Sequence, residues 1–204
     1  MLHKETIAPG TLDILKKICL NPWFNDFSLA GGTALALQIG HRISVDLDFF
    51  GKKDLIEIDF QVELLKISRA RPVSIAQHIL IFYLNGVKVD FVNYPFPPIA
   101  PLLEIEGIRM QGLNDIAAMK LSAITNRGRK RDFYDLYFLL DIFSLQELFD
   151  FYSLKFNNAS ELLVLKSLAY FDDAEKDEDP DLIKKGLTWE GVKKRILTAL
   201  INKK

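Results

Sequence analysis

The chain is poor in the residues that most often build metal clusters and covalent frameworks: one cysteine, Cys19, and three histidines, His3, His41 and His78, in 204 residues. A lone thiol excludes an intrachain disulfide framework, and Cys19, set in the apolar run ILKKICL, reads as a buried small hydrophobe. Scattered histidines with no C-x-x-C partner leave zinc without a recognisable ligand set. No apolar run approaches the roughly 18 residues of a membrane span, and the opening MLHKETIAPG has no apolar stretch of the secretory kind. The expectation is a cytoplasmic protein in a reducing compartment. An excess of one charge is missing as well: 26 Lys and Arg stand against 27 Asp and Glu, a net charge of -1. Nothing in the whole-molecule field therefore attracts nucleic acid or an anionic membrane, and any polyanion must be met by a local patch. GRKR at 128–131 and the terminal VKKRILTALINKK are such patches. There is no G-x-S-x-G elbow and no G-x-x-x-x-G-K-[ST] loop, so serine-hydrolase and P-loop chemistry have no foothold.

What is present is an ordinary globular composition, 49% hydrophobic and 26% charged, long enough for one generous domain or two small ones. The first half mixes short apolar runs with turn residues. Residues 11–20 suit an amphipathic helix, 27–30 a buried strand, 33–39 a helix after the Gly31-Gly32 turn, 45–50 a strand and 54–68 a helix. HILIFYL and VKVDFVNY flank Asn85-Gly86, the preferred pair for a tight hairpin turn because both positions take positive φ. Pro95, Pro97, Pro98 and Pro101 then interrupt regular structure. The second half carries longer helical periodicities. Asn114 is a candidate cap for a helix over 115–126, Gly128 breaks it, and further helices are expected at 130–143, 145–156, 160–170 and toward the C-terminus. The acidic run 172–180 between them reads as a solvated connector. The predicted organisation is α+β, with a mixed-sheet core over 1–108 and a helical domain over 109–204.

Chemistry concentrates in LAGGTALALQIGHRISVDLDFF. Asp46 and Asp48 are two apart on a predicted strand, so their side chains share a face among Val45, Leu47, Phe49 and Phe50. Two neighbouring carboxylates repel unless a cation joins them, and a hard ion such as Mg2+ takes oxygen ligands. D-x-D alone is more often a pair of solvated acids. Asp90, between Val89 and Phe91, places one acid on a second apolar strand. If that strand pairs with 45–50, three carboxylates meet, and such a set can align a nucleophilic oxygen with a triphosphate. Gly31-Gly32 stands between a strand and a helix with Thr33 as the candidate cap; backbone amides there can receive phosphate, although a simple tight turn accounts for the pair equally well. Arg42 and Ser44 are further candidates for phosphate contact. On the helices, Lys120 follows IAAM, and Arg131 with Asp135, and Asp132 with Asp135, share one side of KRDFYDLYFLL; an ordinary helix-stabilising ion pair is the alternative.

GGTALAL, then HRISVDLDFF, then VDF, then AAMKLSAITNRGRKRDFYDLYFLL resembles the AbiEii/AbiGii-type toxin family of the DNA polymerase β-like nucleotidyltransferase superfamily, over most of the chain. The resemblance implies a minimal nucleotidyltransferase core followed by a helical C-terminal domain closing the cleft. It implies NTP as substrate, with Mg2+ (or Mn2+) held by Asp46, Asp48 and Asp90. It adds Asp132 to these as catalytic, and leaves Asp135 as site or scaffold. Gly31, Gly32, Thr33, Arg42, Ser44, Lys120 and Arg131 would bind nucleotide. The broader superfamily often has Gly-Ser where this chain has Gly31-Gly32, so a serine contact to phosphate is absent or replaced. The implied biology is a toxin of a bacterial toxin–antitoxin or phage-defence system, with tRNA as one acceptor and a cognate antitoxin as partner. A noncatalytic nucleotide- or partner-binding module is the rival reading.

Overall fold

Helix α1 (Pro9–Leu20) begins on a proline, whose missing amide would have gone unbonded at that position anyway. It is followed by β1 (Phe27–Ala30), α2 (Gly31–Ile39), β2 (Leu47–Gly51), α3 (Glu57–Leu65), β3 (Ala70–Ala76), β4 (Ile79–Leu84), β5 (Val87–Asn93), β6 (Leu103–Ile105) and β7 (Ile108–Met110). The computed structural model describes residues 1–157 and 160–202. These strands form one seven-stranded mixed sheet in the order β3-β4-β5-β2-β1-β7-β6. With residues 1–97 and 101–112 they make up the first of two units.

The β4–β5 hairpin turns at Asn85 (φ 47°) and Gly86 (φ 87°), the backbone that the Asn-Gly pair announces. Beside it β5 runs parallel to β2, with Asp48 opposite Asp90 and Phe49 opposite Phe91. Period-2 alternation then sorts the two faces. Leu47, Phe49, Val89 and Phe91 are buried, and Phe91 lies against Phe49, Phe24, Phe27 and Phe60 with ring centroids 5.1–5.4 Å apart. Each fully buried phenylalanine contributes about 1.5–3 kcal/mol by leaving water. This aromatic core holds β2 and β5 together and turns Asp48 and Asp90 to the opposite face.

Several expectations need correction. The strand begins at Leu47, so Asp46 precedes it outside regular structure. The helix over 54–68 is shorter, Glu57–Leu65. Strand β3 was not foreseen, because Pro72 and the arginines of RARPVSIA mask it; Pro72 is tolerated there since β3 is an edge strand and bulges between Pro72 and Ser74. The three-residue strands β6 and β7, joined at Glu106 (φ 54°) and Gly107 (φ 75°), are too short to show a period.

The second unit comprises residues 98–100 and the chain from Leu113. Its helices are α4 (Leu113–Arg127), α5 (Lys130–Leu139), α6 (Leu145–Lys155), α7 (Glu161–Leu168) and α8 (Trp189–Ile201). Asn114 lies inside α4 rather than capping it. Helix α5 stops at Leu139, short of 143, and the chain restarts at Ser144, which with Glu147 forms a reciprocal capping box on α6. The Asp115–Lys155 pair, 2.7 Å apart with both side chains wholly buried, joins α4 to α6. The same Asp115 carboxylate accepts the amides of Ile99 and Ala100 at 3.0–3.2 Å, which ties the 98–100 segment to this unit. Lys203 and Lys204 of the terminal basic run lie outside the described residues.

Candidate active site

The first group of candidates gathers where β1 gives way to α2. Gly31 has φ +65°, a conformation that L side chains rarely adopt, and a Cβ added there would stand 2.7 Å from Asp48 Oδ2. At Gly32 a Cβ would stand 2.3 Å from Arg42 Nη2. Both glycines therefore let the backbone approach charged side chains. They also open α2, whose first amides have no intrahelical acceptor and carry the positive end of the helix dipole.

Thr33, expected to cap α2, does not do so. The cap position is Ala30, and the buried Thr33 hydroxyl bonds to Ser44 Oγ at 2.7 Å and donates to the Asp46 carbonyl. Ser44 is likewise buried. These hydroxyls pin the Arg42–Asp46 stretch against the start of α2 and so shape the turn. Arg42 is 5% exposed and donates to the Ile43 carbonyl.

Asp48 and Asp90 stand side by side on neighbouring parallel strands. Asp90 is 8% exposed; its Oδ2 accepts from Lys88 Nζ, whereas its Oδ1 is buried with no hydrogen-bond partner. A buried carboxylate oxygen left bare costs about 1–3 kcal/mol, and a cation would remove that cost. Among the described residues, no group of three His, Cys, Asp or Glu side chains is close enough to enclose an ion. The foreseen three-carboxylate cluster is thus not gathered. An oxygen-only pair still fits Mg2+, which is ordinarily held by one or two carboxylates and keeps water and phosphate oxygens for the rest of its shell.

A second group lies within the helical unit. Lys120 Nζ on α4 is 2.8 Å from Asp132 Oδ1 and 2.6 Å from Asp135 Oδ2 on α5, and Arg127 Nε reaches Asp132 Oδ2 at 3.1 Å. Lys120 is 5% exposed and both carboxylates are wholly buried. Burial pushes the Asp132 carboxyl up most strongly, but Lys120 and Arg127 together outweigh it and hold the group below the usual carboxylate range. Arg131 is exposed on α5. In the basic run 128–131, Arg129 pairs with Asp177 at 2.9 Å and Lys130 with Asp179 at 3.3 Å. The acidic connector is therefore partly committed to that patch.

The family model described as the nucleotidyl transferase AbiEii toxin of type IV toxin–antitoxin systems matches residues 13–202. The chain belongs to the AbiEii family. An uncharacterized protein of Aquifex aeolicus is 39% identical over 180 residues, 83% of this chain and 85% of its own. A crystallised Helicobacter pylori protein assigned as a nucleotidyltransferase is similar in fold, with a TM-score of 0.57 at 19% identity, over 95% of this chain and 94% of that one. MenT4, a nucleotidyltransferase toxin from Mycobacterium tuberculosis, also has a TM-score of 0.57, at 15% identity over 94% and 83% of the two chains. The α+β class and the nucleotidyltransferase fold expected from the sequence are those observed. Two features of this AbiEii chain escaped the sequence reading: Lys88 on Asp90, signalled only by its i−2 spacing on one strand face, and Arg127 on Asp132, for which no spacing rule exists.

Proposed function

We propose that this AbiEii-family chain transfers a nucleoside monophosphate from a nucleoside triphosphate to an acceptor hydroxyl, using Mg2+ or Mn2+. The observation that carries the reading is the pair Asp48 and Asp90, in register beside the glycine-opened N-terminus of α2, with a bare buried oxygen on Asp90. Asp48 and Asp90 would hold the ion. When bound, the ion supplies charge neutralisation at the phosphates and an acceptor hydroxyl that ionises more readily. Amides at Gly31 and Gly32 receive phosphate oxygens at close range, since neither residue places a Cβ in the way. The acceptor oxygen bonds to the α-phosphorus, the bond to the β-phosphate bridging oxygen breaks, pyrophosphate leaves, and the hydroxyl proton passes to a carboxylate. Positioning and charge stabilisation supply most of the acceleration in such transfers. Lys120 and Asp132 enter as site residues on the strength of the family motif.

For the acceptor we propose the 3′ end of tRNA, whose terminal hydroxyl is a suitable nucleophile; the family resemblance supports this choice more than the charge does. The type IV toxin–antitoxin designation of the family supports a toxin role in the bacterial cytoplasm with an antitoxin encoded nearby. The test is incubation with each labelled NTP, with and without Mg2+, alongside total tRNA or cell protein, reading pyrophosphate release and label transfer. Transfer should require Mg2+ and vanish in Asp48→Asn, whose melting temperature should be unchanged or raised as repulsion is relieved. Near-normal turnover in that variant would sink the assignment of Asp48.

A further inference from the structure

Lys88 has no part in the reading above, yet it is the ammonium group bonded to the candidate metal ligand Asp90. It sits two residues before Asp90 on β5, so strand periodicity puts both side chains on one face. Its Nζ contacts Asp90 Oδ2, with the lysine side chain about one-third exposed and the aspartate side chain 11% exposed. On that face Asp48 is the in-register neighbour of Asp90 from β2, and Ile81 its neighbour from β4. Ile81 carries no charge, and among the described ion pairs Lys88 is the cation on Asp90.

We infer that Lys88 is a resident counter-ion of the carboxylate pair, a positioning residue that neutralises Asp90 while no divalent ion is present and opposes the binding of one. This rests on the proposed metal role of Asp48 and Asp90. Electrostatics gives its sign: two crowded carboxylates destabilise the empty site, an ammonium on one of them relieves that repulsion, and the same ammonium repels an incoming divalent ion. The triphosphate brings negative charge of its own and offsets the repulsion. Lys88 thereby makes ion binding depend on nucleotide, so that the chain holds little metal until its substrate arrives.

The test uses the full chain and Mn2+ alone, with affinity read by calorimetry and by paramagnetic broadening, and thermal unfolding read with and without Mn2+. In Lys88→Met, Mn2+ should bind about tenfold more tightly in the absence of nucleotide, because even bulk-water screening leaves that much repulsion between an ammonium and a divalent ion a few ångströms apart. The metal-free variant should melt lower than the parent and gain more from Mn2+, as linkage requires. Lys88→Arg should stay near the parent in both readings. Adding a non-hydrolysable triphosphate analogue should narrow the affinity gap between Lys88→Met and the parent. Equal Mn2+ affinity in parent and Lys88→Met, with binding abolished in Asp90→Asn, overturns the inference and leaves the metal site standing. Weaker binding in Lys88→Met also overturns it, because the lysine would then be orienting the ligand rather than competing with the ion. No Mn2+ binding by parent and Lys88→Met alike overturns the metal reading, and the inference with it.

Discussion

Replacing Lys120 by methionine tests how far the helical unit depends on its buried charges. Methionine keeps most of the side-chain length but leaves Asp132 and Asp135, both wholly buried, without the ammonium that stands 2.8 and 2.6 Å from them. Breaking a buried pair by removing one partner costs about 3–5 kcal/mol, since the remaining charge is uncompensated. For a chain of this length that is roughly 6–20 °C in Tm. Urea unfolding across a pH series provides a sharper signature. In the parent the Asp132 carboxyl lies below its ordinary value, so its stabilising contribution is full above the ordinary carboxylate pKa and is lost as pH falls through the lower folded one. Without Lys120, burial is the strongest remaining influence, the carboxyl moves up, and the variant is relieved by protonation. The stability gap between parent and Lys120→Met should therefore be widest near neutrality and shrink between about pH 5 and pH 3. Adding Asp135→Asn to Lys120→Met should cost less than the two single changes summed. A loss below about 1 kcal/mol that does not vary with pH would refute the reasoning, and would place Lys120 as a phosphate contact whose pairing is incidental.

Gly31→Ala should destabilise the chain by about 1–2 kcal/mol, since it forces a Cβ into a left-handed backbone. It should also lower NTP affinity by displacing Asp48, measured by fluorescence titration with a labelled triphosphate; unchanged affinity would remove this turn from the site. Lys155→Met should cost about 3–5 kcal/mol through the orphaned Asp115, as seen by urea unfolding. Because Asp115 also holds the amides of Ile99 and Ala100, cleavage near residue 100 should quicken in limited proteolysis; an unaltered cleavage pattern would show that Asp115 keeps that hold alone.

Local chemistry wrote part of this protein legibly. Asn85-Gly86 takes positive φ at both positions, which only a few residue types tolerate, so the hairpin could be read from two letters. The alternation around Asp48 and Asp90 marked acids on apolar strands, because neighbouring side chains on a strand must face opposite ways. The order of glycine turn, D-x-D, third acid and helical lysine with a later Arg-Asp-x-x-Asp pointed to the family. Whatever depends on distant segments meeting was decided by tertiary structure. The register that sets Asp48 against Asp90 arises from packing Phe49 and Phe91 in one aromatic core, 42 positions apart in the chain. The Thr33–Ser44 bond closes across a loop whose path no propensity dictates. Lys120 could be seen to be a lysine on an apolar helix, but its burial between two carboxylates required α4 and α5 to pack, and packing determines the cost of a charge. Sequence by itself determined the elements long or regular enough to show a period, though not β3, β6 or β7, and the residue types able to do the chemistry, since these follow from backbone sterics and side-chain period. Only the fold decided which charges are paired, which oxygen is left bare and which hydroxyls are already in use, because desolvation and hydrogen bonding depend on neighbours brought together from far along the chain.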